Sequence, residues 1–203
     1  KYAQDGSPIF DSVASNATAH YLENMLWLTG KGFAGASIAD MTVRTARAND
    51  IETFDTIAMD AHLDNGARLF YVASHATGRD CVQNPLFIYE FENAVVTFGS
   101  LGETGDELKA VFKDGAVKDY GASTLNGWNK KLDALIAAAR GESVTLPCPA
   151  EAARCHTAAM EMIRAKNPEA EVLSDARVDE GMVWVNGLGD RLKACFEKET
   201  LDF

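Results

Sequence analysis

The stretch Asn16-Ala-Thr-Ala-His20-Tyr-Leu-Glu-Asn-Met-Leu-Trp-Leu-Thr-Gly30 is the one around which the rest of the chain is organised. It predicts one helix that runs to about Leu28 and is ended by glycines at positions 30, 32 and 35. Asn16 is the predicted N-cap, because its side chain can accept a hydrogen bond from a free N–H of the first turn. On such a helix Asn16 and His20 stand four positions apart and share one face.

After residue 40 the chain changes to the alternation of apolar and polar residues that is typical of half-buried strands. Asn65-Gly66 and Asp114-Gly115 are strong signals for hairpin turns. The predicted strands are 41–47, 53–63, 67–76, 86–91, 94–98, 106–113 and 116–120. Because tight turns join successive strands, the sheet should be largely antiparallel.

Three helical segments follow the strands. Apolar residues at helical spacing predict a helix over 125–139. Pro149 fits the first position of the next helix, and a last helix runs to about Lys198. This order predicts the α+β class, with a large open, mostly antiparallel sheet and helices packed on one face. No linker or repeat interrupts the pattern, so we expect residues 1–203 to form a single domain.

Charge and composition limit the partners. Lys and Arg number 19 and Asp and Glu number 30, which gives a net charge of −11. Such a surface repels phosphate backbones, so we expect no nucleic-acid partner. No apolar run approaches the roughly 20 residues of a membrane-spanning helix, so we expect no membrane partner. The four cysteines lack the spacing of a zinc or redox site and predict free thiols in a protein of the reducing cytoplasm.

The chain begins with Lys1 and has neither an initiator methionine nor the pattern of a signal peptide. We therefore expect a fragment or a processed product of a longer protein. The sequence also lacks G-x-G-x-x-G after a strand and G-x-x-x-x-G-K-[ST]. The three glycines of 99–105 follow a short strand in a series of hairpins, which favours a loop over a phosphate-binding turn.

Two places in the sequence carry candidates for chemistry. His20 could transfer a proton while Asn16 orients it or holds a substrate hydroxyl. The alternative is an N-cap asparagine beside an ordinary helix histidine. His75 and Arg79 follow a strand, where loops often carry binding residues, and Asn84 could present its amide to a polyhydroxylated ligand. The alternatives there are a solvated loop and a simple turn.

His156 stands next to Cys155, as in a catalytic pair. Adjacent helical residues point about 100° apart, so we expect no dyad between them. His62 is most simply a surface residue.

The run from His20 to Gly30 resembles the motif D-x-G-x-H-x-x-D-x-x-x-W-L-x-G. That motif opens the C-terminal domain core of the glucose–fructose oxidoreductase / inositol dehydrogenase / rhizopine-catabolism (Gfo/Idh/MocA) family. The stretch 142–156 is similar to the P-x-x-x-E-A sequence that begins a helix of the family, and 182–188 is similar to its closing strand-to-helix turn. The resemblance covers nearly the whole chain.

The resemblance implies a fold, a cofactor and partners. Members have an N-terminal Rossmann domain that binds NAD or NADP, and a C-terminal domain with a large open sheet of the dihydrodipicolinate-reductase-like kind. They oxidise or reduce a sugar, a cyclitol or a related hydroxy compound. This chain would be the C-terminal domain, without bound cofactor and inactive alone. A homo-oligomer through the sheet face is also implied.

The resemblance further assigns residues. The conserved histidine of the family matches His20, the acid four positions earlier matches Asn16, and the acid three positions later matches Glu23. Asparagine at 16 departs from the pattern and puts an acid–base role there in doubt, although it can still orient a partner. The lysine of the family's E-K-P motif has no match in this chain. His75, Arg79 and Asn84 are the expected substrate contacts.

Two alternatives stay open. A non-catalytic module could keep the sheet for dimerisation or ligand binding, and asparagine at position 16 favours it slightly. A stand-alone enzyme that uses His20 or His156 would need a nucleophile, a base and an orienting residue, and the sequence does not present such a set.

Overall fold

The computed structural model describes residues 2–6, 9–81, 83, 85–99, 107–122, 128–145 and 148–203. The helices are α1 (Ala19–Thr29), α2 (Trp128–Ala139), α3 (Ala150–Lys166) and α4 (Leu188–Lys198). The strands are β1 (Ile38–Arg47), β2 (Thr56–Leu63), β3 (Arg68–Ser74), β4 (Phe87–Glu90), β5 (Ala94–Phe98), β6 (Glu107–Phe112), β7 (Val117–Ala122), β8 (Glu171–Val172), β9 (Ala176–Asp179) and β10 (Met182–Val185). A 3₁₀ turn spans Arg79–Cys81.

The chain groups into two compact units, Lys1–Cys81 with Cys148–Phe203, and Val82–Pro147. The first unit holds a four-stranded sheet in the order β3-β2-β1-β8 and the β9–β10 hairpin. The second unit holds a four-stranded antiparallel sheet in the order β4-β5-β6-β7. The α+β class with mostly antiparallel sheets is therefore confirmed. The expected single sheet is divided between the two units.

Short turns with glycine make the hairpins as predicted. Asn65-Gly66 joins β2 to β3; Gly66 takes a φ of +86°, and Leu63 N–H donates to Ala67 O at 2.8 Å. Asp114-Gly115 joins β6 to β7 in the same way, with φ +86° at Gly115. Both glycines occupy the left-handed region that other residues rarely adopt.

The sheet of the first unit has a hydrophobic core on each face. Helices α1 and α3 cover one face and contact β-strand residues such as Met59 and Tyr71. Helix α4 and the β9–β10 hairpin cover the other face and contact Ala58 and Phe70. The sequence predicted helices on one face, but β2 and β3 carry apolar residues on both, so both faces need cover.

The β1–β2 connection is held by a buried carboxylate. Asp55 Oδ2 accepts hydrogen bonds from Ala48 N–H (3.0 Å), Asn49 N–H (2.9 Å) and the Asn49 side-chain amide (2.7 Å). Its Oδ1 accepts one from the Thr56 hydroxyl at 3.0 Å. These bonds compensate for the removal of a charged group from water.

In the second unit, strand β4 shows the expected alternation of half-buried and exposed residues. One face of its sheet carries stacked aromatic rings, with Phe87 6.1 Å from Tyr89 and 5.7 Å from Phe98 between ring centroids. Burial raises the pKa of Tyr89 to about 12. Helix α2 exposes Leu132, Leu135 and Ile136.

All four cysteines are free thiols, as predicted. Among the described residues, no helix is both long and apolar enough to cross a membrane. Helix α4 ends at Lys198, as predicted, and α3 ends at Lys166. Pro149 is the N-cap of α3 rather than its first helical residue.

Candidate functional site

Helix α1 begins later than the sequence predicted. Its N-cap is Thr18, so the assignment of Asn16 as N-cap is wrong. Ser12 and Ser15 form a tight turn ahead of the helix, with Ser12 N–H donating to Ser15 Oγ at 2.7 Å and Ser15 N–H to Ser12 Oγ at 3.2 Å. The Asn16 side chain donates to Asp11 Oδ1 at 3.1 Å instead of serving the helix. Asn16 and His20 are therefore not two positions on one helix face.

The first turn of α1 is anchored to the sheet. The Thr18 hydroxyl donates to Val13 O at 2.5 Å, so the Tyr71 hydroxyl, also 2.5 Å away, must donate to Thr18. Burial raises the pKa of Tyr71 to about 12. Tyr71 belongs to β3, and its phenol is thus a buried donor that fixes the start of the helix.

His20 lies on the exposed side of this anchored turn. The neighbouring Leu22 and Leu26 are fully buried against the sheet, so the helix cannot turn about its axis without exposing them. The imidazole is therefore held at a defined place on the surface, open to solvent. An exposed, well-positioned imidazole can exchange a proton with a bound molecule.

A small polar cluster is buried one turn further along α1. The Cys155 thiol of α3 donates to Glu23 Oε2 at 3.5 Å and to Ala152 O at 3.0 Å. Burial, with a smaller contribution from the Glu23 charge, raises the pKa of Cys155 to about 11. Glu23 Oε1 and Trp27 Nε1 are buried and have no hydrogen-bond partner among the described residues. Cys155 is thus a buried thiol that joins two helices rather than a nucleophile.

His156 faces away from Cys155, as predicted. Its Nε2 lies 3.0 Å from Ala14 O, and since a carbonyl only accepts, Nε2 carries the proton. The two adjacent side chains therefore tie α3 to different parts of the first unit. They do not form a catalytic dyad.

The residues predicted to contact substrate lie beyond the end of β3. His75 has an exposed side chain, and its backbone N–H donates to Asp55 O at 2.8 Å. Arg79 opens the 3₁₀ turn and pairs with Glu180 at 2.8 Å, with both side chains largely exposed. Asn84 lies outside the described residues.

The described contacts do not bring the five candidates together. Arg79 is tied to the β9–β10 hairpin, which packs on the α4 face of the sheet. His20 belongs to α1, which packs on the opposite face. Their roles in one site stay predictions.

Sequence patterns alone missed the residues that hold His20 in place. The pair Thr18–Tyr71 joins positions far apart in the chain, and so does the pair Glu23–Cys155. One signal was present, since the family resemblance placed an acid at Glu23. A threonine that can serve as N-cap at position 18 was a second signal.

Comparisons with known proteins identify the fold. No protein-family model and no curated protein matches the sequence. The UDP-N-acetylglucosamine 3-dehydrogenase GnnA from Acidithiobacillus ferrooxidans is similar in two crystal forms. Both are 18% identical; the TM-scores are 0.53 and 0.57, and the matches cover 77% and 76% of this chain and 50% and 46% of GnnA. A putative oxidoreductase from Thermotoga maritima is 11% identical with a TM-score of 0.53, over 72% of this chain and 42% of its own.

The matches cover about half of each of these proteins or less. At such low identity the likeness establishes the fold and leaves activity and substrate open. The matched fold is also the one that the motif around His20 implied. The chain therefore has the fold of the C-terminal domain of Gfo/Idh/MocA-type oxidoreductases.

Proposed function

We propose that this chain is the substrate-binding domain of an NAD(P)-dependent oxidoreductase that acts on a sugar, a cyclitol or a related hydroxy compound. The observation that carries the proposal is the likeness of its fold to about half of GnnA, which is named a sugar-nucleotide dehydrogenase. The G-x-G-x-x-G spacing of residues 30–35 follows helix α1 rather than a strand, so it is not a dinucleotide-binding motif. NAD or NADP would therefore bind to a Rossmann domain elsewhere in the parent protein.

His20 is the residue that we assign to proton transfer. The nicotinamide of the parent would exchange a hydride with the reacting carbon. The hydroxyl on that carbon must gain or lose a proton, and a ring nitrogen of His20 can accept or return it. The anchored, exposed position of the ring supports this role.

Asn16 cannot take part in acid–base chemistry, because its amide does not titrate between pH 5 and 8. We assign to it the orientation of a substrate hydroxyl near His20. Its present bond to Asp11 is exposed and can be exchanged for a bond to substrate.

Arg79 and His75 are assigned to a part of the substrate that lies away from the carbon served by His20, because Arg79 is tied to the hairpin on the opposite face of the sheet. The Arg79–Glu180 pair is exposed on both sides, so it contributes at most about 1 kcal/mol. A substrate oxyanion or hydroxyl can therefore replace Glu180 at little cost. Asn84 is included in this proposal on sequence grounds.

The test uses the parent protein expressed from its native gene, with reduction of NAD or NADP followed by absorbance over a panel of sugars, nucleotide sugars and cyclitols. His20→Ala should lower kcat by about 100-fold or more, the usual contribution of a general acid–base residue. His62→Ala is the matched control, since His62 is also exposed but lies on β2. Arg79→Ala should raise KM more than it lowers kcat.

Three results would contradict the proposal. The first is a parent without a dinucleotide-binding domain. The second is equal activity of the two histidine variants. The third is turnover of NAD or NADP by the 203-residue chain alone.

The second unit favours a further function, self-association through its sheet. Val95, Val111 and Val117 are neighbours across three strands and point to one face. They are 38%, 49% and 64% exposed. Cross-strand neighbours lie about 5 Å apart, so the three side chains form one continuous apolar row. Contiguous exposed apolar surface is a feature of protein interfaces.

We propose that this row pairs with the same row of a second copy. The next row of the same face carries Lys109 beside Asp119, so a two-fold axis can place unlike charges opposite each other. Light scattering after gel filtration should show a dimer that Val111→Lys converts to a monomer. Val178→Lys, in the first unit, is the control and should leave the dimer intact. A monomeric wild-type chain would refute the pairing.

A further inference from the structure

Asn186 and Gly187 join strand β10 to helix α4, and an asparagine loses its side-chain amide most easily when glycine follows it. The sequence contains three Asn–Gly pairs, of which 65–66 and 186–187 lie within the described residues. Both of these asparagines are exposed to water, and both glycines take a positive φ, +86° at Gly66 and +69° at Gly187. The two pairs are therefore matched in residue type, in exposure and in the conformation of the glycine.

Hydrogen bonds hold both reacting groups of the pair Asn65–Gly66. The Gly66 N–H donates to Leu63 O at 3.0 Å, which occupies the nitrogen that would attack the side chain. The Asn65 side chain accepts from Ala67 N–H at 3.0 Å and donates to Thr29 O at 2.5 Å, which fixes the amide that would be attacked. This pair can react only after its turn has opened.

The pair Asn186–Gly187 lacks these restraints. In the part of the chain that the structure describes, neither the Asn186 side chain nor the Gly187 N–H makes a hydrogen bond. Gly187 is the N-cap of α4, so its N–H has no partner within the helix. It also has no Cβ, which leaves room for a neighbouring side chain to approach its nitrogen.

We propose that Asn186 is a site of spontaneous deamidation for which water is the only co-reactant. The Gly187 nitrogen gives its proton to hydroxide and forms a bond to the side-chain carbonyl carbon of Asn186. The bond from that carbon to the amide nitrogen breaks, and the nitrogen takes a proton from water and leaves as ammonia. Water then cleaves one of the two bonds between the nitrogen of the resulting succinimide ring and its carbonyl carbons. The product is aspartate or isoaspartate.

Isoaspartate matters at this position because it adds one carbon to the main chain. Val185 and Leu188, on either side of the pair, are 1% and 0% exposed and belong to one core cluster. The added carbon separates two side chains that pack closely in the same core, so it should loosen the contact of α4 with the sheet. Aspartate has no such effect, since a negative charge just before α4 is favoured by the helix dipole.

The test is peptide mapping by mass spectrometry of the full 203-residue chain after incubation in warm, mildly alkaline buffer. Trypsin places Asn186 and Asn65 on separate peptides, 178–191 and 48–68. Asn186 should convert at least about tenfold faster than Asn65, because the hydrogen bonds of the Asn65–Gly66 turn must break first. In urea, which removes these bonds together with the fold, the two asparagines should convert at similar rates.

Asn186→Ser gives a second test, because serine has no amide to lose. After the same incubation this variant should unfold at its original urea concentration, whereas the wild-type chain should contain a fraction that unfolds at lower urea. Equal behaviour of the two incubated chains would contradict the loosening of α4 by isoaspartate.

The proposal is overturned if Asn186 converts no faster than Asn65 in the folded chain. It is also overturned if the difference in rate persists in urea, because the fold would then not be its cause. None of these outcomes depends on whether the parent protein is an oxidoreductase. If Asn186→Ser does not fold, the comparison of the two asparagines within the wild-type chain still decides the question.

Discussion

Gly35→Ala tests how closely the loop after α1 packs against α3. A Cβ at position 35 would stand 2.3 Å from Cys155 Sγ and 3.3 Å from Cys155 Cβ. Contacts to a real Cβ begin near 3.4 Å, so the sulfur would have to move by about 1 Å. Overpacking of this kind costs about 1–3 kcal/mol, and the gain from a less flexible unfolded chain returns about 0.4–1 kcal/mol. We expect a net loss of about 1–2 kcal/mol.

The second substitution, Cys155→Ala, removes the sulfur that causes the clash. Alone it should cost about 1 kcal/mol through lost packing. The loss of stability in the double variant should be smaller than the sum of the two single losses by about 1–2 kcal/mol, because without the sulfur the new Cβ meets no clash. Urea unfolding followed by tryptophan fluorescence, to which Trp27 on α1 contributes, measures the three free energies.

Cys148→Ala combined with Gly35→Ala is the control, because Cys148 is an exposed cysteine. It should give no rescue. The packing argument fails if Gly35→Ala unfolds at the wild-type urea concentration. It also fails if the Cys148 and Cys155 replacements rescue equally.

Three further predictions concern stability. Burial raises the pKa of Tyr71 from 10.0 to about 12, so its contribution is complete below pH 10 and is lost between pH 10 and 12 as the unfolded chain ionises. In urea unfolding at several pH values, Tyr71→Phe should remove up to about 1.4 kcal/mol per pH unit from the slope in that range, to which Tyr89 and Cys155 also contribute. Asp55→Ala leaves the N–H groups of the β1–β2 connection without an acceptor and should cost about 2–4 kcal/mol in thermal unfolding, more than Asp55→Asn. His20→Ala should change stability by less than about 0.5 kcal/mol, because the side chain is exposed; a larger loss would mean that the histidine is structural.

Local patterns predicted the hairpins because local chemistry decides them. Gly66 and Gly115 both occupy a positive φ that their neighbours could not adopt cheaply. The start of α1 was misplaced by two residues for the opposite reason. Asn16 and Thr18 are both residue types that commonly cap helices, but the Thr18 hydroxyl bonds to Val13 O and to the distant Tyr71 instead of capping α1.

The sequence patterns also failed to predict that both faces of the first sheet are covered, although the sequence contains the reason. Residues Leu69 to Val72 are apolar without interruption, and such a run is typical of a strand that is buried on both faces. The tight turns around it, which join antiparallel strands, suggested a sheet with one solvent-exposed face. The choice between the two depended on where α4 packs, and that contact joins elements far apart in the chain.

For the candidate site, the sequence supplied residue types and the family resemblance supplied roles. Neither predicted which side chains contact one another. The bond of Asn16 to Asp11 and the pair between Arg79 and Glu180 are side-chain contacts that no spacing rule contains. The sequence predicted the helix or strand on which a residue lies. It did not predict which side chain an exposed polar group contacts.

The first unit is interrupted in sequence by the second. The parallel pairing of Ala46 with Glu171 and of Arg47 with Val172 closes a loop of about 125 residues, whereas the second unit is made of hairpins between neighbouring segments. Local hairpins form early in folding, so the inserted unit can be complete before β8 reaches β1. Closure entropy grows slowly, by only about 0.6 kcal/mol for each doubling of the loop. The stretch Val82–Pro147 can therefore lengthen or shorten in evolution at little cost to the sheet that carries α1 and His20.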